Sequence, residues 1–189
     1  MLSLLLGLIV FLGIHSVSIV AEPFRNAMVA KSELGWKAFY SLVSVIGIIL
    51  IANGYSELRY EPVLLYTTPD WFRHITYLLM LPAMILFVAP YLPGKISQIS
   101  KHPQLIAVKL WAVCHLMVNG MLADVILFSA FLAWAVINSI SMKKRAPRAV
   151  SGLQANGRND LIAIVLGVAL TGAFIVYLHR LLIGMPLTS

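Results

Sequence analysis

Cysteine is nearly absent from this 189-residue chain: Cys114 stands alone, so neither an intrachain disulfide framework nor a cysteine zinc site can form. Charge is scarce as well. Asp, Glu, Lys and Arg together make up 11% of the residues and hydrophobic types 60%, against about 25% and 45–50% in soluble globular domains. That imbalance excludes a soluble enzyme and a disordered tail. The few charges are lopsided, 14 basic against 7 acidic for a formal net charge of +7. They still do not describe a nucleic-acid patch, because five of the basic residues fall between Lys143 and Arg158 and most of the others sit in short loops. In a membrane protein such a distribution is an orientation signal.

What the chain has in quantity is long apolar runs. Crossing about 30 Å of hydrocarbon takes roughly 20 mostly apolar residues in a helix, and six segments approach this. They run from Leu2 to Ala21, Lys37 to Tyr55, Trp71 to Tyr91, just after Pro103 to Val118, Met121 to Ser141, and Asp160 to Gly184. The first carries no basic stretch before it and no small-residue cleavage site, so it reads as a retained span and not a signal peptide. The fold class expected is all-α, a polytopic bundle of about six transmembrane helices. Three parts are expected: a five-span domain over 2–142, a basic loop over 143–159 and a sixth helix over 160–184.

Loop charge sets the expected orientation. The loops after spans one, three and five hold Arg25, Lys31, Lys95, Lys101, Lys143, Lys144, Arg145, Arg148 and Arg158, against Arg59 and Arg73 around the loop after span two. That bias puts the odd-numbered loops in the cytoplasm. Trp36, Tyr40, Tyr55, Tyr60, Tyr66, Trp71 and Tyr91 fall near span ends, as interfacial aromatics do. The segment from Glu57 to Trp71, with Pro62 and Pro69, reads as an interfacial loop or short re-entrant piece. The loop from Lys143 to Asn159 is suited to contact with anionic lipid headgroups. Membrane lipid is thus the expected surrounding, and nucleic acid is not an expected partner.

In hydrocarbon the polar residues carry the information, because each costs free energy unless paired. His15 and His115 have apolar sequence on both sides. Each reads either as a hydrogen-bonded link between helices or as a ligand, since two imidazoles on facing helices can clamp a haem iron. Gly13 would leave room for a flat macrocycle. Trp111, His115 and Asn119 recur every four residues and would share one helical face, the expected wall of a pocket, with Asn119 orienting an imidazole or a ligand. His102 precedes Pro103 at the start of span four and reads as a cap residue. Thirteen residues, roughly 20 Å along a helix, separate it from His115, too far to share an iron. Lys109 is placed to snorkel to the headgroups, and Asp124 falls in the first turn of span five, where the helix dipole favours a carboxylate. His74 and His179 adjoin arginines at span edges and read as interface residues.

Several separated motifs resemble those of the NnrU family. They are Gly13-Ile14-His15-Ser16, Arg25, Tyr40-Ser41-Leu42-Val43-Ser44, His102-Pro103-Gln104-Leu105, Leu110-Trp111-Ala112, His115-Leu116, Asn119-Gly120, Leu127-Phe128 and Phe131-Leu132-Ala133-Trp134-Ala135. The resemblance covers residues 2 to 142 and weakens beyond Asn159. It implies a multi-spanning protein of the bacterial inner membrane, associated with nitric oxide and nitrite reduction. The plant and cyanobacterial 15-cis-zeta-carotene isomerases, haem b enzymes that isomerise a double bond without net redox change, are similar to this family. That similarity implies haem b as cofactor, His15 and His115 as its axial ligands, and a carotenoid-like apolar small molecule as partner. Where those isomerases have an alternative cysteine ligand, this chain has Ala112, and Cys114 is displaced from it. Two other implied readings are a non-enzymatic accessory of nitrogen-oxide respiration and, from Lys101-His102-Pro103, a membrane methyltransferase that binds S-adenosylmethionine near His102.

Overall fold

The computed structural model describes residues 1–145 and 153–187. Residues 146–152 of the expected basic loop, Arg148 among them, lie outside the described residues. Among those described, α-helix dominates and strands are absent, apart from one isolated bridge. Among the described residues five helices are long and apolar enough to cross a membrane, which makes the chain a multi-pass membrane protein. A sixth, Pro103–Val118, is apolar but shorter at 16 residues, about 24 Å at 1.5 Å per residue. The chain divides into two compact units, residues 1–68 with 119–144, and residues 69–118 with 145–189.

The first unit holds α1 (Leu2–Val20), α2 (Glu22–Lys31), α3 (Glu33–Leu58) and α7 (Leu122–Met142). Glycines let α1 lie directly on α3. A Cβ added to Gly54 would collide with the backbone nitrogen of Leu4, one on Gly7 would lie 2.5 Å from that of Ile51, and one on Gly47 2.8 Å from Phe11 Cβ. In lipid, where no hydrophobic force draws helices together, such close backbone approach is how dispersion contacts are gained. Leu4, Leu8 and Ala123 form the buried centre, with Ile51, Phe131 and other apolar side chains around it.

Helix α2 occupies residues that the apolar-run pattern assigns to the loop after span one. Its signals are local. Pro23 sits in the first turn, Glu22 is at the start and Lys31 at the end, each matching the helix dipole or the geometry of an N-terminus. Ser32 then closes α2 and opens α3, its Oγ accepting from Gly35 N–H at 3.0 Å.

The segment between Glu57 and Trp71 takes a definite role at the entry to α7. Leu65 N–H donates to Gly120 O and Leu122 N–H to Val63 O, both at 2.8 Å, and Leu64 pairs with Met121 in an antiparallel bridge. Tyr66 Oη donates to Asn119 O at 3.0 Å. A helix start in lipid leaves backbone N–H groups to satisfy, and this crossing satisfies that of Leu122.

The second unit holds α4 (Phe72–Val88), a 3₁₀ turn (Ala89–Tyr91), α5 (Lys95–Ser100), α6 (Pro103–Val118), α8 (Gly157–Ala173) and α9 (His179–Ile183), the last two joined by a π-helical stretch over Phe174–Leu178. Helix α4 packs on both α6 and α8. A Cβ at Gly167 would meet Ile85 Cγ1 at 2.6 Å, so α8 rests on α4 through this glycine. Thr76 Oγ1 donates to the carbonyl of the buried Cys114 at 3.3 Å, linking α4 to α6. The start of α8 clasps the loop before α5: Asp160 accepts from the N–H groups of Lys95 (2.9 Å) and Ile96 (3.0 Å), and Asn159 Nδ2 donates to Pro93 O at 2.8 Å. Asp160 therefore caps a helix 65 residues away in sequence.

Candidate functional site

His15 lies on α1 within the first unit, half-buried. Its Nδ1 is 2.7 Å from Phe11 O, one turn earlier. A carbonyl oxygen only accepts, so Nδ1 carries the proton and Nε2 carries the lone pair of the neutral ring. Phe11 also stacks on the imidazole, centroids 4.1 Å apart and planes 29° apart. Tyr40 of α3 lies at 4.9 Å, and Trp134 of α7 meets the ring edge-on at 5.9 Å and 86°. Phe131 continues the cluster at 5.6 Å from Phe11. Three helices thus surround one imidazole with aromatic rings.

His115 lies on α6 within the second unit and repeats the local pattern. Its Nδ1 is 2.8 Å from Trp111 O, again one turn back, and the Trp111 ring lies 5.3 Å away, tilted by 52°. The same tautomer follows, with the lone pair on Nε2. Residues four apart on a helix are neighbours, and side chains lean toward the preceding turn. The aromatic at i−4 therefore both packs on the histidine and belongs to the residue whose carbonyl holds it.

Trp111 and His115 share a face of α6 as their spacing predicts. Asn119 stands one residue past the last helical residue. Helix α6 ends at Val118, and Asn119 belongs to the crossing before α7, where its carbonyl receives the Tyr66 hydroxyl. The physical reason is the Asn119-Gly120 pair: a Cβ at Gly120 would collide with Tyr66 O, and that close approach of two backbones ends the helix. Gly13 opens onto space, with nothing within 4 Å of an added Cβ. Two residues along a helix turn through about 200°, so that space lies away from the face carrying His15.

His102 adjoins an unusual turn. Lys101 has φ 57° and ψ −48°, and His102 N–H donates to Ser100 O at 2.6 Å, the geometry of the rare γ-turn of positive φ. Helix α6 then begins at Pro103. Partial burial holds the His102 ring below the usual histidine range, and the positive charges of Arg145, Lys101 and Lys109 add to the effect.

One polar contact escaped the sequence reading. Asp124 is 5% exposed, and Tyr55 Oη of α3 donates to its Oδ1. The position of Asp124 in the first turn of α7 is as expected, and its partner Tyr55, three residues from the end of α3, is half-buried. The aromatic surround of His15 was also missed, although Tyr40, Phe131 and Trp134 lie in the motifs that carry the family resemblance. Among the described residues no group of three or more His, Cys, Asp and Glu side chains is placed to hold a metal ion.

The family model described as NnrU protein matches residues 3–187, nearly the whole chain and further than the motif resemblance, which stopped at residue 142. No curated protein and no solved structure matches the chain significantly.

Proposed function

Because the chain belongs to the NnrU family, we propose that it is a haem b membrane protein in which His15 and His115 are the residues that would hold the iron. One observation carries this reading. Both intramembrane histidines tie Nδ1–H to a backbone carbonyl and so present the Nε2 lone pair, each against an aromatic ring. A histidine that ligates a metal characteristically donates its other ring N–H to a carbonyl or carboxylate, which fixes the tautomer and raises its basicity. The donor chemistry of the two residues therefore fits haem iron.

When bound, haem b would supply one-electron chemistry and a centre for isomerase-like chemistry on an apolar ligand. The chain's own residues orient and shield. Phe11 O and Trp111 O hold the rings against rotation, while Phe11, Tyr40 and Trp134 exclude water from the His15 edge. Cys114 is buried in α6, and Ala112 is fully buried, so the proposed ligand set is His/His. The excess of basic residues in the odd-numbered loops supports placing those loops in the cytoplasm, across a bacterial inner membrane.

The test is an absorption spectrum of detergent-purified protein, oxidised and then dithionite-reduced, with a pyridine haemochrome assay. The reading predicts a Soret band and sharp α and β bands on reduction. Turnover of a carotenoid by the haem-loaded protein would then identify an isomerase, and its absence would favour redox work in nitrogen-oxide respiration. A protein that stays colourless after haem reconstitution refutes the reading.

A further inference from the structure

The indole Nε1 of Trp134 is buried and has no hydrogen-bond partner, one of the few such atoms among the described residues. Trp134 stands on α7 eight residues before Met142, about 12 Å along the helix from that end. At that depth water does not compensate an unmade hydrogen bond, and an unpaired N–H costs roughly 1–3 kcal/mol. Native structures rarely keep such a donor without a use. Its place is informative, because the same indole packs T-shaped with His15, ring centroids 5.9 Å apart.

The rings gathered there set the chemistry of what the donor can meet. Phe11, Tyr40 and Trp134 touch the imidazole, with Phe131 behind Phe11. None is a cation. An anionic group seated among them would be desolvated with no counter-charge, while a bare hydrocarbon would leave the indole N–H unpaired. The His15 tautomer offers a lone pair at Nε2 and its proton is already given to Phe11 O, so it cannot donate to an incoming acceptor. Trp134 can. His15, Tyr40 and Trp134 are each half-buried, so the cluster borders the bilayer, and the covered Trp134 Nε1 is reached by an acceptor once a neighbouring side chain gives way.

We propose that the seat beside His15 takes an apolar ligand bearing a neutral hydrogen-bond acceptor, a carbonyl of the quinone or ketone type, held by the indole N–H of Trp134. This names the class of apolar ligand in the function proposed above. It rests on that reading for the seat at His15 and not for the presence of haem.

The experiment uses the full chain in micelles with ¹⁵N-labelled tryptophan. Of the four indole N–H resonances, that of Trp134 is identified by its loss in Trp134→Phe. If that variant does not fold, Trp36→Phe, Trp71→Phe and Trp111→Phe identify it by elimination. A decyl-substituted benzoquinone is titrated in, and squalene, a polyene with no acceptor, is titrated in parallel. The expected result is a saturable downfield shift of the Trp134 resonance with the quinone and none with squalene, while Trp36 and Trp71 stay in place. No shift with the quinone, or an equal shift with squalene, overturns the proposal. Haem content of the same sample separates the two claims. A haem-free sample in which Trp134 responds sustains the carbonyl seat and removes the haem. A haem-loaded sample in which Trp134 is silent does the reverse.

Discussion

Tyr55 on α3 donates its hydroxyl hydrogen to Asp124 on α7, 69 residues further along the chain. Asp124 is almost fully buried, so this bond decides whether a carboxyl group is tolerated inside the first unit. Removing one partner strands the other, which costs about 1–3 kcal/mol. Replacing both by apolar groups of similar shape is often close to neutral. Tyr55→Phe and Asp124→Leu should each destabilise the protein by that amount in an SDS-titrated unfolding followed by far-UV circular dichroism. The double variant should recover much of the loss. Additive losses would mean that the two residues act separately.

Two glycines of the same unit should respond in opposite directions. A methyl group at Gly54 runs into the backbone of Leu4, while one at Gly13 meets nothing within 4 Å. Gly54→Ala must push α1 from α3, at about 1–3 kcal/mol or more for overpacking. Gly13→Ala gains helix propensity, up to about 1 kcal/mol. The same unfolding measurement on both variants checks the pair, and a Gly54→Ala protein as stable as the parent would contradict the close approach of α1 and α3.

His102 gives a dependence on pH. Burial foremost, and then the cations of Arg145, Lys101 and Lys109, hold its protonation below the ordinary value of 6.5. The unfolded chain, with the ordinary value, therefore takes up the proton first as pH falls. Its contribution to stability is complete above about pH 6.5 and is lost as pH drops through 6.5 toward the lowered folded value. His102→Gln should flatten that part of the stability profile. Unfolding midpoints between pH 7.5 and pH 5 for both proteins decide it, and parallel profiles would show that His102 does not titrate in the way its surroundings require.

The spans were readable because length and apolarity act locally: each run in the sequence corresponds to a helix, and the shortness of α6 was visible as the distance from Pro103 to Val118. Helix α2 was hidden by its polarity, since the turn signals of Glu22, Pro23 and Lys31 are weaker than an apolar run. The Tyr55–Asp124 bond could not be read, because nothing in either residue's neighbourhood names a partner 69 positions away. The candidate histidines stood out as polar residues in apolar runs. Their i−4 aromatics were also legible, as Phe11 before His15 and Trp111 before His115, but not the rings that Tyr40 and Trp134 bring from other helices. The end of α6 just before Asn119 was not legible from spacing by four, because the close approach of Gly120 to Tyr66 O is a contact between distant parts of the chain.

The central claim is that His15 and His115 ligate haem b, and the most direct test is the reduced and oxidised Soret region of the purified wild type beside His15→Ala, His115→Ala and His102→Ala. The account predicts a haem b spectrum in the wild type and in His102→Ala, and a lost or displaced Soret band in each of the other two. A wild-type spectrum retained by both His15→Ala and His115→Ala, or a wild type that binds no haem, would contradict it.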